Sequence, residues 1–464
     1  MTRIKTDICV IGGGSGGLSV ASGAVQMGAR VVLIEGHKMG GDCLNYGCVP
    51  SKALLAQAKT VKARGTAPVP ADFTRAMEHV ASTIARIAPH DSVERFEGLG
   101  VQVIQGFARF TGPDTVEVDG TTISARRFVV ATGSTAFVPP IPGLESVPYM
   151  TNETLFQQKE CPGHLLIIGA GPIGLEMAQA HRRLGARVTV IEGAKALGRD
   201  DPDAAALVLS ALRSEGIEVI EDAQVEKVAG RAGAIEVQVK GGTIFTGTHL
   251  LVAVGRAPNT QRLELDKAGI RDDRSGIRVD ARLRSSNRRV HAIGDVAGQG
   301  QFTHLAGYHA GVIIRSMLFG LPAKARTDHI PHVTYTDPEL AQIGLTEGAA
   351  RKEYGAGLTV CRVEYSQIDR ALAEGRDEGF CKLMVVKGRP VGVTIVGAQA
   401  GELIAPYALA MANRLKLGAI AGTVIPYPTL AEIGKRAAGA YFSPKLFDNL
   451  TVRQVVRAVQ KWLP

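Results

Sequence analysis

The pattern of apolar and polar positions near the start of the chain predicts a strand, a tight turn, a helix and a second strand. An apolar run at residues 7–11 leads directly into the glycine-rich stretch 12–17, and a helical segment follows at 18–27. A second apolar run at residues 30–35 ends in an acid. Strands joined by a helix in this order form a βαβ unit with parallel strands. The N-terminal pattern therefore predicts an α/β domain.

The same succession recurs in the middle of the chain. An apolar run at residues 165–168 precedes a second glycine-rich stretch at 169–174. A helical segment at 175–184 then leads to an apolar strand at 187–192. The chain is therefore expected to carry two Rossmann-like units.

Both glycine-rich stretches match the dinucleotide-binding pattern G-x-G-x-x-G in its required strand–turn–helix context. The glycines are Gly12, Gly14 and Gly17 in the first turn and Gly169, Gly171 and Gly174 in the second. The first glycine allows the tight turn, the second lets the backbone approach a pyrophosphate, and the third lets the helix pack on the strand. The acids that end the second strands, Glu35 and Glu192, can bind a ribose hydroxyl. Glu192 would repel a 2′-phosphate, which favours NAD(H) over NADP(H) at the second site.

Two cysteines lie five residues apart in the segment that follows the first unit. Cys43 and Cys48 precede a predicted helix in which Pro50 suits the first turn, because the N–H that proline lacks has no partner there. Lys52 follows Cys48 by one helical turn, and a helix N-terminus and a nearby ammonium both favour a thiolate. Since strained disulfides are the labile, catalytic kind, we interpret the pair as a redox-active dithiol. Two buried structural thiols and half of a metal site are the alternatives.

Two dinucleotide sites and a dithiol in one chain indicate an electron relay, in which one site can hold FAD and the other a nicotinamide nucleotide. A later apolar strand ends in Gly294 and Asp295, where the acid could reach a cofactor sugar or simply cap a helix. From about residue 330 the pattern changes to antiparallel strands with helices, including a hairpin over 380–396. This last third has no nucleotide motif and suggests an assembly domain.

Composition narrows the class of protein. With 464 residues, 45% of them hydrophobic, the chain is long enough for two to four globular domains, and six cysteines are too few for a disulfide scaffold. The net charge of +9 is scattered and lacks an aromatic–basic stacking pattern, so we expect no nucleic-acid partner. No apolar run reaches the ~18 residues of a membrane span. No leader is visible, and we expect a cytoplasmic protein.

The C-terminal residues 451–463 have helical periodicity, with apolar side chains on one face and basic ones elsewhere. Such a helix can lie on a membrane surface, but more often it packs on its own domain, and we expect the latter.

Taken together, these motifs resemble the pyridine nucleotide–disulfide oxidoreductases, the flavoprotein family of dihydrolipoamide dehydrogenase, glutathione reductase and mercuric reductase. The resemblance rests mainly on the segment from Gly40 to Lys52, and the turns 131–134 and 255–259 follow in the family's order. It implies FAD at the first turn, NAD(P) at the second, and a homodimer whose active site is completed by the partner's C-terminal domain. The implied domains are FAD-binding over 1–150 and 256–328, NAD(P)-binding over 151–255, and an α+β dimerisation domain over 329–464.

The resemblance also implies roles for single residues. Cys48 would be the thiolate beside the flavin and Cys43 the thiol that attacks substrate, with Lys52 and Glu176 as an ion pair near the flavin's reactive edge. Asp295 would hold the FAD ribityl chain. Further cofactor contacts are implied at Gly41, Ala131, Thr132, Gly133, Gly255, Gly294, Leu305 and Ala306.

One segment departs from the family pattern. Members that reduce disulfides carry a histidine acid–base near the C-terminus, but here Tyr427 takes its place, while Glu432 of the same motif is kept. A phenol that titrates near 10 is a poor proton shuttle at neutral pH. Tyrosine at this position is similar to mercuric reductase, yet the C-terminal cysteine pair of those enzymes is missing, since no cysteine follows Cys381.

The sequence therefore predicts an enzyme that passes electrons from NAD(P)H through FAD and a Cys43–Cys48 disulfide to a thiol, disulfide or thiol-bound soft-metal acceptor, with no resident metal. One alternative is a mercuric-reductase-like metal reductase. Another is a quinone or diaphorase-type reductase in which the flavin passes electrons on directly. A non-enzyme alternative is a flavin-bearing redox sensor or structural subunit.

Overall fold

The computed structural model describes residues 2–463, which form two compact units. The first comprises the residues up to Gly193 together with Asp222–Thr327, and the second comprises Ala194–Glu221 and the residues from Asp328 onward. The α-helices are α1 Ser15–Gln26, α2 Gly41–Asn45, α3 Cys48–Ala63, α4 Pro70–Ile87, α5 Val93–Gly98, α6 Asn152–Leu155, α7 Pro172–Arg183, α8 Pro202–Ser214, α9 Thr303–Phe319, α10 Glu347–Tyr354, α11 Asp369–Ala373, α12 Ala400–Leu403, α13 Ala405–Ala412, α14 Leu417–Ala421, α15 Glu432–Ala440, α16 Ser443–Phe447 and α17 Leu450–Trp462.

The strands are β1 Thr2–Ile11, β2 Val31–Glu35, β3 Gln102–Gln105, β4 Arg109–Gly112, β5 Thr115–Val118, β6 Thr121–Val130, β7 Ser134–Ala136, β8 His164–Ile168, β9 Arg187–Ile191, β10 Glu218–Ile220, β11 Val225–Arg231, β12 Ala234–Val239, β13 Ile244–Gly247, β14 His249–Val252, β15 Arg256–Pro258, β16 Asp272–Asp273, β17 Gly276–Ile277, β18 Val290–Ala292, β19 Pro331–Thr334, β20 Glu339–Gly344, β21 Leu358–Glu364, β22 Phe380–Val386 and β23 Arg389–Gly397.

The largest sheet of the first unit is mixed. Its order is β3-β2-β1-β6-β5-β4, with β18 beside the end of β6. The pairs from β3 to β6 and the β6–β18 pair are parallel, whereas β4 and β5 are antiparallel additions. Helices α1 and α9 cover one face through an apolar core that includes Leu18 and Ile313. The first predicted βαβ unit, β1–α1–β2, therefore lies at the centre of this sheet.

The second predicted βαβ unit is also present in the first unit of the structure. Strands β8 and β9 are parallel neighbours joined by α7, and β14 pairs in parallel with the other side of β8. An antiparallel sheet of β11, β12 and β13 follows β9 in the chain. Both glycine turns thus lie where a parallel strand gives way to a helix, as the sequence predicts.

The second unit is built on an antiparallel sheet of order β19-β20-β23-β22-β21. The predicted hairpin is β22–β23, and the apolar core under it includes Tyr365, Leu383 and Tyr407. The predicted α/β fold is therefore present, with an α+β C-terminal part.

The C-terminal helix α17 differs from the expectation. None of its described residues is buried, and Val455 and Trp462 are 57% and 80% exposed. The expectation that its apolar face packs on its own domain is wrong, because the second unit covers its core with other helices. Within residues 2–463, no helix is both long and apolar enough to cross a bilayer.

Candidate active site

At two of the three glycines of the first turn, the neighbouring backbone leaves no room for a side chain. Gly12 has φ +109°, and a Cβ there would lie 2.3 Å from the carbonyl oxygen of Ala131. A Cβ on Gly17 would lie 1.9 Å from the carbonyl oxygen of Gly12. At Gly14 the nearest atom, Cα of Gly41, would be 3.8 Å away, an ordinary contact. The middle position is therefore open on the protein side, which fits a cradle for a pyrophosphate.

The second turn repeats this geometry. Gly169 has φ +107°, with a hypothetical Cβ 2.4 Å from the oxygen of Ala253, and a Cβ on Gly174 would lie 2.0 Å from the oxygen of Gly169. At Gly171 such an atom would meet nothing within 4 Å in the described part of the chain. The residues of both turns thus fit dinucleotides.

The acid after each turn is bound to the turn itself. Glu35 is buried, and its two carboxylate oxygens accept the backbone N–H groups of Gly13 at 2.5 Å and His37 at 2.6 Å. Glu192 accepts the N–H of Ala170 at 2.8 Å. Each carboxylate is thereby fixed at the end of its strand, where a ribose would meet it.

The two cysteines are brought together by consecutive helices. Cys43 lies in α2 and is half-buried, whereas Cys48 is the first residue of α3 and is exposed. Both are free thiols in this structure, and each side chain shifts the pKa of the other. The Sγ of Cys48 also lies 3.6 Å from the Oγ1 of Thr303, the first residue of α9. The fold thus brings together the two cysteines of the predicted dithiol.

The two thiols differ in acidity. The hydrogen bond from Cys43 lowers the pKa of Cys48 to about 6, and Thr303 and the charge of Lys52 act in the same direction. The same hydrogen bond, followed by burial, raises the pKa of Cys43 well above its usual range. At neutral pH, Cys48 is therefore the thiolate and Cys43 the thiol.

Lys52 and Glu176 form an ion pair. The Nζ of Lys52 lies 2.7 Å from Oε2 of Glu176, which is buried on α7. Lys52 sits one helical turn after Cys48 on α3, so the ammonium acts on both the thiolate and the carboxylate. The structure thus brings together two residues that the resemblance pairs.

Asp295 belongs to a polar network that sequence reasoning only partly found. Ser134 donates its hydroxyl to the Asp295 carboxylate at 2.5 Å, and Arg256 donates its Nε–H to the same serine at 2.8 Å. The guanidinium of Arg256 also lies 3.0 Å from Asp42, beside Cys43. Burial raises the pKa of Asp295.

The remaining implied cofactor residues lie around this network. Thr132 donates its hydroxyl to the carbonyl of Asn259 at 2.8 Å, and Asn259 donates its N–H to Gly133 at 3.0 Å, so the turns 131–134 and 255–259 are held together. A Cβ on Gly294 would lie 3.1 Å from the Cβ of Ala306. Leu305 and Ala306 are buried in the first turn of α9.

Sequence reasoning missed Thr303 and Arg256 as site residues. Thr303 lies 255 positions from the cysteine that it contacts, and such a separation leaves no periodic signal. Arg256 stands inside the recognised turn 255–259. The positive charge of Arg256 within that turn is the one sequence feature that could have indicated its role.

Tyr427 and Glu432 both lie in the second unit. Tyr427 is 69% exposed and donates its hydroxyl to Asp369 at 2.9 Å, a contact that raises its pKa. The Oε2 of Glu432 is buried and has no hydrogen-bond partner among residues 2–463, while Oε1 lies 3.8 Å from Arg436. Those described residues also hold no cluster of three or more His, Cys, Asp or Glu arranged for a metal ion.

Comparison with known proteins defines the class. Residues 6–310 match the family profile of the pyridine nucleotide-disulphide oxidoreductases, and residues 330–438 match the dimerisation domain of that family. The chain therefore belongs to the pyridine nucleotide–disulphide oxidoreductases. The resemblance found in the sequence is confirmed.

Its relatives include enzymes of two activities. A mercuric reductase of Acidithiobacillus ferrooxidans is 36% identical over 456 residues, covering 94% of this chain and 82% of the relative. A dihydrolipoyl dehydrogenase of Thermus scotoductus is 36% identical over 454 residues, covering 94% and 97%. The Cu(II) complex of the HOCl-induced flavoprotein disulfide reductase RclA from Escherichia coli has a TM-score of 0.86 at 28% identity, covering 94% of this chain and 99% of that one.

The family establishes the reaction class. The chain is an NAD(P)H-dependent flavoprotein oxidoreductase that uses FAD, a pyridine nucleotide and a redox-active disulfide, and it carries the family's dimerisation domain. The prediction of an enzyme of this type is confirmed.

Proposed function

We propose that the Cys43–Cys48 pair is the redox-active disulfide and that its acceptor is a thiol-bound soft metal ion rather than an organic disulfide. Bound FAD would supply the two-electron exchange between the nicotinamide and the dithiol. The observation that carries the choice of acceptor is Tyr427, which stands where disulfide-reducing members have a histidine.

The chemistry of the dithiol supports this proposal. When Cys43 and Cys48 form their disulfide, two electrons leave the sulfurs and the proton of Cys43 is released, because Cys48 is already a thiolate. A divalent soft ion such as Hg(II) accepts both electrons and leaves as the metal. Soft thiolates are also the ligands that such ions prefer.

The state of Tyr427 argues against a disulfide substrate. Reduction of a disulfide releases a thiolate that needs a proton, and a positioned acid–base contributes about 10²–10⁴-fold to such a step. The hydrogen bond to Asp369 raises the pKa of Tyr427, which makes the phenol a still weaker acid at neutral pH. Reduction of a metal ion needs no such proton.

Some relatives support a metal acceptor, although a dihydrolipoyl dehydrogenase is equally similar to this chain. Mercuric reductases are among the chains that match this one at 36% identity, and one structural neighbour is a Cu(II) complex. We further propose a homodimer, through the family's dimerisation domain, and a preference for NAD(H), through the Glu192 carboxylate at the second turn. The cytoplasmic location remains a prediction.

Rapid mixing of the NADH-reduced holoenzyme with either lipoamide or Hg(II) held by excess small thiol tests the acceptor. We expect fast reoxidation by the Hg(II) complex and slow turnover with lipoamide. Tyr427→His should raise lipoamide turnover and leave Hg(II) reduction unchanged, with Tyr427→Phe as the matched control that has no acid group. Lipoamide turnover by the wild type on the order of hundreds per second would overturn the proposal.

The same assay distinguishes a reductase in which the flavin acts directly. Cys43→Ser and Cys48→Ser should each abolish Hg(II) reduction, because the electrons would have no dithiol to pass through. A quinone activity that survives both substitutions while Hg(II) reduction is absent in the wild type would favour the diaphorase-type alternative.

A further inference from the structure

A cavity rich in arginine lies in the first unit, and no residue of either glycine turn lines it. It has a volume of about 290 Å³ and is lined by Arg127, Arg282, Arg284, Arg288, His291 and the C-terminal end of α9. We call it the arginine pocket. The mechanism proposed above uses none of these residues.

One lining residue of the arginine pocket, His291, has a polar atom without a partner. His291 lies in β18 and is only 3% exposed, and its Nδ1 has no hydrogen-bond partner among the described residues. Buried polar atoms are nearly always hydrogen-bonded, so each exception calls for a missing partner. A ligand in the cavity would supply one.

The rim carries an excess of positive charge. Within residues 2–463, Arg284 alone of the four arginines forms a salt bridge, with Asp280 at 3.0 Å. The end of α9 adds a partial negative charge of roughly half an elementary unit, which is small beside the three guanidinium groups that no carboxylate neutralises among the described residues. The net field in the pocket therefore attracts an anion.

The chemistry of the rim indicates the kind of anion. Arginine presents several N–H donors in a plane that matches phosphate and carboxylate oxygens in pairs. The volume lies near the lower end of ligand pockets, so a small molecule fits and a protein segment does not. Burial and then the charges of Arg127 and Arg284 lower the pKa of His291 to about 4, and a bound anion would offset the repulsion.

We propose that the arginine pocket binds a small phosphorylated anion at a site distinct from both nucleotide turns. No residue of either turn, 12–17 or 169–174, lines the pocket. The pocket is also distant from the dithiol, because Thr303 at the start of α9 contacts Cys48, whereas the last turn of α9 borders the pocket. A helix of 17 residues places these ends about 25 Å apart.

Calorimetric titration of the holoenzyme with pyrophosphate, in the presence of saturating NAD⁺, tests the proposal. We expect one pyrophosphate per chain in the wild type. The variant Arg282→Gln/Arg288→Gln should bind about tenfold more weakly or worse, because charge-assisted hydrogen bonds are lost. The matched control is Arg274→Gln/Arg289→Gln, which removes the same charge from exposed positions outside the cavity lining and should bind as the wild type does.

FAD content and melting temperature should be equal in all three proteins, because every substituted residue is exposed. If both double variants bound pyrophosphate equally weakly, the loss of affinity would reflect the overall charge of the protein, and the proposal would be overturned. The proposal would also be overturned if pyrophosphate bound neither in the presence nor in the absence of NAD⁺, or if NAD⁺ abolished its binding.

Discussion

At Cys48, several neighbours act on one sulfur in the same direction. The thiol of Cys43, the hydroxyl of Thr303 and the ammonium of Lys52 all stabilise the thiolate and lower the pKa of Cys48, whereas burial and then the charge of Glu176 oppose them. The ion pair between Lys52 and Glu176 therefore sets part of the acidity of the dithiol. The low pKa of Cys48 follows from contacts that three separate segments provide.

This acidity predicts a pH profile. Alkylation of Cys48 by iodoacetamide in the reduced enzyme should rise with pH below about 6 and level off above it, because only the thiolate reacts. Cys43 should react far more slowly. Peptide mass spectrometry after timed alkylation measures both sites.

The ion pair gives a second expectation for the same assay. Lys52→Met removes a positive charge and leaves the buried Glu176 uncompensated, and both effects raise the pKa of Cys48. The midpoint should therefore move to higher pH, while Lys52→Arg should keep it low. An unchanged midpoint in Lys52→Met would show that the ammonium has no influence on the sulfur.

Part of the candidate site could be predicted from sequence because its residues share short segments. The spacing of Cys43, Cys48 and Lys52 is local, and their helix placement follows from Pro50 and the glycines before it. The contact of Cys48 with Thr303 and that of Tyr427 with Asp369 join distant positions. Only the tertiary fold brings those residues together, so no local pattern predicts them.

At the scale of elements, the glycines of the two strand–turn–helix units have the same two roles, one in the folding of the turn and one in cofactor binding. The first and third glycines are required by the backbone of the turn itself, whereas Gly14 and Gly171 are open on the protein side. Substitution should therefore separate folding from cofactor binding within a single turn.

We expect Gly174→Ala to destabilise the chain and Gly171→Ala to weaken nucleotide binding. The Cβ added by Gly174→Ala would overlap the carbonyl of Gly169, which should lower the free energy of unfolding by about 2–3 kcal/mol. Gly171→Ala should change it by less than about 1 kcal/mol but raise the KM for NADH roughly tenfold. Urea denaturation and flavin reduction by NADH measure the two effects. Equal loss of stability in both variants would contradict this interpretation.

The elements were predictable to different degrees. Both βαβ units and the hairpin β22–β23 follow from apolar periodicity bounded by glycine turns. Helix α17 was predicted as a helix, but its packing was predicted wrongly. An amphipathic pattern shows that one face is apolar, and it is the same whether that face is covered or left exposed.

The exposure of α17 can be checked through Trp462, the single tryptophan of the chain. With its side chain 80% exposed, we expect red-shifted fluorescence that acrylamide quenches almost as readily as free tryptophan. Denaturation should then change the quenching little. A blue-shifted, protected emission would mean that the helix is covered in solution.

At the scale of the whole molecule, the chain combines two nucleotide turns with the family's dimerisation domain. The domain boundaries predicted from the sequence remain a proposal. The pattern of the last third suggests an assembly domain, but the homodimer and its shared active site could be predicted only through the family resemblance, because no periodicity in residues 329–464 indicates what that segment contacts.

A homodimer predicts a solution mass of twice the 48.9 kDa chain, independent of NADH. Analytical ultracentrifugation of the holoenzyme measures it. If the partner completes each active site, dimers re-formed from Cys48→Ser and Tyr427→His chains should lack the lipoamide turnover gained by Tyr427→His, because the one intact dithiol would meet the partner's Tyr427. A stable monomer with full activity would contradict the dimer.

The most direct test of the central claim is an anaerobic titration of the holoenzyme with NADH, followed by absorbance. If Cys43 and Cys48 form the redox-active pair beside the flavin, a long-wavelength thiolate–flavin band should appear as the disulfide is reduced, and Cys48→Ser should abolish it. If the flavin alone takes up the electrons, with identical titrations for the wild type and Cys48→Ser, the dithiol has no part in the reaction.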